Sequence, residues 1–218
     1  MAKTLTAKRK DTERQTRRQF IVDAARKLFG DKGIENTTME DIAVACGYTR
    51  RTLYAYFKSF DEICLLALLE DQTTRWELQR EAVAAADTGL AKLQAWAKTL
   101  YRFVSVNPHY MPLEMYWDYH GLHPKSFGRP LFDRFTERNN ELADGLRGIF
   151  RVGMADGSMR KDLEVDMCIS QFLYSLRSII NRAVLPGYSF AEFDPDDYVN
   201  HYIELFCRAI KNRRGHHK

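Results

Sequence analysis

The residues of this 218-residue chain best equipped to act on a partner are Arg50, Arg51, Thr52, Tyr54 and Tyr56. They stand in the run RRTLYAYF, where Leu53 and Phe57 are four apart and turn inward together on a helix. The outward face is then a surface of hydrogen-bond donors with two cations. If the helix starts after Thr49, both arginines fall in its first turn, at the positive end of the helix dipole. A cation there is unfavourable by roughly 0.3–1 kcal/mol. A sequence selected for stability alone would place Asp or Glu at that point. Phosphate oxygens and guanine edges are the groups that suit such donors. The bland alternative is a solvated basic helix end.

A second stretch, His109 to Phe127, concentrates Tyr110, Met111, Met115, Tyr116, Trp117 and Tyr119 with three histidines. Glu114 and Asp118 lie four apart and share one helix face beside these aromatics. Three readings compete: a Met and aromatic stripe of the core, a ligand pocket between helices, or a metal site of His109, His120 and His123. The His120–His123 spacing fits one ligand pair, but Gly121 and Pro124 disturb the local geometry and no cysteine completes the set. On the pocket reading the lining candidates are Trp96, Tyr101, Tyr110, Glu114, Met115, Trp117, Asp118, Phe135 and Tyr174. Carboxylates among aromatic rings would suit a cationic ligand.

Other chemistries lack their signatures. There is no G-x-S-x-G, no phosphate-cradling glycine loop and no His-Glu metal helix, so neither an enzyme nor a cofactor is expected. No apolar run approaches the ~18 residues of a membrane span. The N-terminal MAKTLTAKRKDTERQTRRQF lacks the apolar region of a secretory signal. Cysteines 46, 64, 168 and 207 are scattered without metal spacing, as reduced thiols of a cytoplasmic protein would be. Charge is uneven: residues 1–60 carry 13 Lys and Arg against 7 Asp and Glu, and the remainder 20 against 22. A basic segment beside a near-neutral body is the footprint of nucleic-acid binding.

The elements that must position the arginines can be traced from caps and breaks. Thr38 caps a short helix with Asp41 at the capping-box position. Gly47 breaks that helix, and Thr49 caps the next. Two short helices with so tight a turn form a helix-turn-helix, whose second helix enters the DNA major groove. Before them, Phe20, Ile21, Ala24, Ala25, Leu28 and Phe29 mark one face of a helix from about Thr12 to Phe29. Phe20, Leu28, Phe29, Ile34, Ile42, Leu53 and Phe57 are the expected interior. Residues 1–11 read as a flexible basic arm. After them, Ser59 caps a long helix to about Ala86, and further amphipathic helices follow at 90–106, 130–154, 163–184 and 195–211.

The run GIENTTMEDIAVACGYTRRTLYAYFKSFDEI, with the preceding AARKLFGDKG, resembles the N-terminal DNA-binding domain of the TetR family of bacterial transcriptional regulators over roughly residues 14–66. The resemblance implies an all-α fold of about nine helices: an arm and DNA-binding head over 1–60 and a ligand-binding and dimerisation body over 61–218. Arg50, Arg51 and Thr52 are then the base-reading candidates. Thr38, Tyr54, Tyr56 and Lys58 are candidates for phosphate, with Tyr48 and Thr49 beside them. The family often has a lysine two residues after the position of Lys58, where this chain has Phe60. The resemblance further implies a homodimer through the last two helices, with Phe172, Leu176, Ile179, Ile180, Tyr202 and Phe206 as candidates, although a helix buried within one chain would show the same pattern. The function implied is repression at a near-palindromic double-stranded operator, relieved by a small-molecule effector. A chromosome-organising DNA binder without effector, or an enzyme using the helical body, are the rival readings.

Overall fold

A computed structural model describes residues 2–121, 124–184 and 193–212. Among these residues there are ten helices and one isolated backbone bridge, Met159 to Lys211. The helices are α1 (Ala2–Lys32), α2 (Met39–Ala45), α3 (Arg50–Tyr54), α4 (Phe60–Ala84), α5 (Gly89–Val106), α6 (Tyr110–His120), α7 (Pro124–Phe127), α8 (Arg129–Ala155), α9 (Val165–Val184) and α10 (Pro195–Ile210). No described helix is long and apolar enough to cross a membrane.

The chain divides into two compact units, Met1–Asp71 with Pro112–Phe135, and Gln72–Met111 with Thr136–Lys218. The first unit is therefore larger than the head expected over 1–60. Its extra part is fastened by aromatic packing that sequence spacing does not reveal. The Phe60 ring meets Phe29 edge-on at 5.7 Å and Tyr116 at 6.4 Å, and the Tyr116 hydroxyl donates to Asp61 Oδ1 at 3.1 Å. Trp117 packs edge-on against Phe127 at 5.7 Å, and the Ser59 hydroxyl donates to the Ser126 carbonyl.

Within this unit, Ile21, Val22, Ala25 and Phe29 of α1, Ile42 of α2, Leu53 of α3, Phe57, and Ile63 and Ala67 of α4 form a buried interior. Ion pairs tie α1 to α4: Arg18 to Glu62 at 2.9 Å, and Arg26 to Glu70 at 2.7 Å and Asp71 at 3.0 Å. Two expectations are corrected. The basic arm is instead the first turns of α1, which runs unbroken from Ala2 because the segment contains neither Gly nor Pro to stop it. Phe20 is not interior: it is 51% exposed and lies edge-on to Tyr48 at 6.4 Å, one position before the buried Ile21–Val22 pair.

In the second unit, α5, α9 and α10 pack together through Trp96, Phe172 and Phe206, with Phe172 6.3 Å from Trp96 and 4.6 Å from Phe206. Leu93, Leu100, Val104, Ile149, Phe150, Leu176, Ile180, Val199 and Ile203 are among the other buried side chains of this unit. α5 crosses α8 so closely that a Cβ on Gly89 would fall on the Gly153 backbone nitrogen. The start of α5 is pinned there, since Asp156 Oδ2 accepts from Gly89 N at 2.7 Å and Ser158 Oγ from Leu90 N at 3.1 Å. Lys92 closes the end of α4 by donating to the Val83 and Ala86 carbonyls, satisfying acceptors that a helix terminus leaves open.

Candidate nucleic-acid interface

The helix-turn-helix is built by its caps. Thr38 Oγ1 accepts from Asp41 N at 3.2 Å, and Asp41 Oδ2 accepts from Thr38 N at 2.8 Å, a complete capping box. Lys32 of α1 adds an ion pair to Asp41 Oδ1 at 2.9 Å. The hydrogen bonds from Thr38, with that lysine, hold the Asp41 carboxyl down at about 2. Gly47, at φ +68°, makes the turn that other residues adopt only with strain. Thr49 then caps α3 by accepting from Thr52 N at 3.1 Å.

This arrangement leaves Thr38, Thr49, Arg50, Arg51, Tyr54 and Lys58 exposed, and Tyr48, Thr52 and Tyr56 half-buried. The nine candidate contacts thus lie on or beside the helix pair. Arg50 and Arg51 occupy the first turn of α3, where no acidic residue offsets the dipole. Arg50 lies along Tyr54, its guanidinium 5.7 Å from the ring centroid and Nη2 3.5 Å from the hydroxyl. Tyr48 and Tyr56 stack at 6.3 Å. Lys58 begins the next turn, its backbone N–H held by Glu62 Oε2 at 2.7 Å. Phe60, where a lysine was the family expectation, is a packing residue between Phe29 and Tyr116.

Two cations of the same surface escaped sequence reasoning. Arg14 donates to the Ala55 carbonyl at 3.0 Å and lies over the Tyr56 ring at 5.5 Å, and Arg17 donates to the Tyr56 hydroxyl at 3.4 Å. Their spacing of three on α1 was the available signal. What it could not supply was the approach of a helix some 40 residues away in sequence.

The effector candidates are divided between the units. Glu114, Met115, Trp117, Asp118 and Phe135 belong to the first, and Trp96, Tyr101, Tyr110 and Tyr174 to the second. Trp117 is buried, Glu114, Met115 and Phe135 are half-buried, and Asp118 is exposed. Tyr116 beside Trp117 has its hydroxyl pushed up, first by burial and then by the Asp61 charge. Tyr101 donates to Asp196 Oδ1 at 2.6 Å, and burial, then that bond, push it up to about 12. Tyr110 is fully buried, edge-on to Phe103 at 5.2 Å. Tyr174 is a correction: it is 66% exposed, because a two-residue step from the buried Phe172 turns it to the opposite side of α9.

Of the dimer candidates, Phe172, Leu176 and Ile180 are buried within the chain, while Ile179, Tyr202 and Phe206 are half-buried. The histidine set gives no metal centre among the described residues. His109 is buried, His120 stacks on Tyr116 at 4.1 Å, and His123 lies outside the described residues.

Residues 21–65 match the family model described as bacterial regulatory proteins, tetR family. The chain is 31% identical over 175 residues to the HTH-type transcriptional repressor KstR2 of Rhodococcus jostii (strain RHA1), covering 78% of this chain and 81% of that protein. The structure of the ketosteroid transcriptional regulator KstR2 of Mycobacterium tuberculosis superposes with a TM-score of 0.70 at 20% identity, over 90% of this chain and 96% of that one. The transcriptional regulator FadR from Bacillus subtilis, solved in complex with stearoyl-CoA, superposes with a TM-score of 0.67 at 19% identity, over 87% and 97%. With its helix-turn-helix and these likenesses across most of its length, the chain belongs to the TetR family of bacterial regulatory proteins.

Proposed function

We propose that this DNA-binding regulator is a cytoplasmic repressor that holds a near-palindromic operator as a homodimer and releases it when a small molecule occupies the helical body. The observation that carries the reading is the exposed Arg50–Arg51 pair in the first turn of α3, flanked by Tyr54, Tyr56 and Lys58. Arg50, Arg51 and Thr52 read base edges in the major groove. Thr38, Tyr48, Thr49, Tyr54, Tyr56 and Lys58 hold backbone phosphates, with Arg14 and Arg17 beside them. Residues 1–60 supply the DNA contacts, and 61–218 supply effector binding and dimerisation. The chain acts by binding and not by catalysis.

Repression as the direction of control is supported by the KstR2 relative, which is a transcriptional repressor. An effector with a large apolar part is supported by the buried aromatic side chains Trp96, Phe103 and Tyr110 of the second unit, and by the stearoyl-CoA complex of the FadR neighbour. A ligand releases DNA only if it favours a protein state that misfits the operator.

Selection of bound duplexes from a random pool by the full-length protein tests the central claim. The expected result is a two-fold-related motif with half-sites about one helical turn apart. Recovery of duplexes without a common sequence would leave only a non-specific binder.

A further inference from the structure

On the inner face of α4, within the second unit, lies a charged group with no part in the DNA contacts. Gln72, Arg75 and Gln79 follow at spacings of three and four, so they share one face. They are 3%, 4% and 1% exposed. Arg75 Nη1 donates to Gln79 Oε1 at 2.8 Å. Gln79 Nε2 in turn donates to the Trp96 carbonyl of α5 at 3.0 Å, which fixes the amide with its oxygen toward the guanidinium. The guanidinium carbon lies 5.6 Å from the Tyr110 ring centroid. Arg75 Nε has no hydrogen-bond partner, and neither has Gln72 Oε1. None of the ion pairs among the described residues of this unit includes Arg75.

A buried guanidinium without a counter-charge is among the costliest groups to place in an interior, and an apolar side chain of similar length would be more stable. The first unit shows the contrast. Arg26, also largely enclosed, is surrounded by Asp23, Glu70 and Asp71. Arg75 instead has a neutral amide on one side and an aromatic ring nearby, with no carboxylate paired to it among the described residues of its unit. Its missing partner is an anion. A planar carboxylate matches a guanidinium edge, which no neutral polar group does equally well. Two buried aromatic side chains stand by this polar group, Tyr110 beside the guanidinium and Trp96 through its carbonyl to Gln79.

We propose that Arg75 is the receptor for the carboxylate of an otherwise apolar effector, with Gln79 as its positioning residue and Gln72, one turn away, accepting from a hydroxyl or N–H on the same molecule. This reverses the cationic preference expected from Glu114 and Asp118, and it rests on the reading of the body as effector-binding.

The test compares wild type with Arg75→Met and Arg75→Lys. The probes are decanoic, oleic and cholic acids, each against its methyl ester, with binding followed by thermal shift and tryptophan fluorescence. At least one acid is expected to bind wild type about tenfold or more tighter than its ester, the size of a hydrogen-bonded charge. Arg75→Met should bring acid and ester to within about twofold and, without ligand, melt no lower than wild type. Equal binding of acid and ester by wild type, for all three pairs, overturns the proposal. So does an acid preference that survives Arg75→Met. If that variant does not fold, Arg75→Lys decides, since it keeps the charge but loses the planar fork. A reduced acid preference supports the site, and an unchanged one overturns it. Operator binding measured in the same samples separates the two readings: an acid that binds through Arg75 without releasing DNA sinks effector release and leaves the carboxylate site standing.

Discussion

Arg50 rests on Tyr54 and Arg51 lies exposed beside it, yet both carry charge at the end of α3 where charge of that sign is unfavourable. Replacing Arg50 by alanine should therefore slightly stabilise the free helix while weakening operator binding by roughly 1–3 kcal/mol and blurring the preference at one base position. Competition between operator and random duplex reads this directly. Equal loss on both would make Arg50 a phosphate contact. This residue was legible because type and helical position sufficed to make it odd. Phe60 was legible only as a departure, since nothing local says that its ring bridges Phe29 and Tyr116. Arg75 was not legible at all. In sequence, Gln72, Arg75 and Gln79 look like any solvated polar stripe, and only burial turns them into a question.

Helix ends, by contrast, are written in a few adjacent residues, which is why the helix-turn-helix could be located before its geometry was known. The Thr38–Asp41 box and the Thr49 cap were both legible from spacing alone. The Asp41 carboxyl, ordinarily near 3.8, is held at about 2 in the folded head. Its contribution is thus complete above pH 3.8 and is lost as pH falls from there through about 2. Acid titration of the head's melting temperature should show this loss for wild type, and Asp41→Asn should lower the melting temperature at neutral pH and flatten the acid limb. An acid limb of unchanged slope would mean that other carboxylates dominate it. Where two helices meet far apart in sequence, the chain gave no such signal. Gly89 reads as part of an Asp-Thr-Gly break, whereas its role is to let α5 lie against the backbone of Gly153. The first turns of α1 went unrecognised for another reason: their basic composition resembles a tail, and helix propensity without an apolar stripe is a weak guide.

For the molecule as a whole, the basic excess is confined to residues 1–60, so one head alone offers a short row of phosphate contacts and few base edges. Joining two heads raises the affinity for a paired site by an effective-concentration factor of about 10²–10⁴ without any new contact to DNA. The apolar faces that hold Phe172, Leu176 and Ile180 on α9 and Val199, Ile203 and Cys207 on α10 are buried within the chain, so an interface on these helices must draw on what remains outside. Met167 and Tyr174 on α9 and Leu205 on α10 are exposed apolar side chains, Leu205 to 58%. Leu205→Asp adds charge at a position that the protomer's own core does not use, so each chain should keep its melting behaviour under conditions where wild type is diluted to monomer. Sedimentation should show the variant as a monomer at concentrations where wild type is a dimer. Its affinity for the full operator should fall by about two to four orders of magnitude, to that of a single half-site. The affinity of both proteins for an isolated half-site should be the same, because the α3 surface is unchanged. A variant that stays dimeric and keeps full operator affinity would place the dimer interface away from this face of α10.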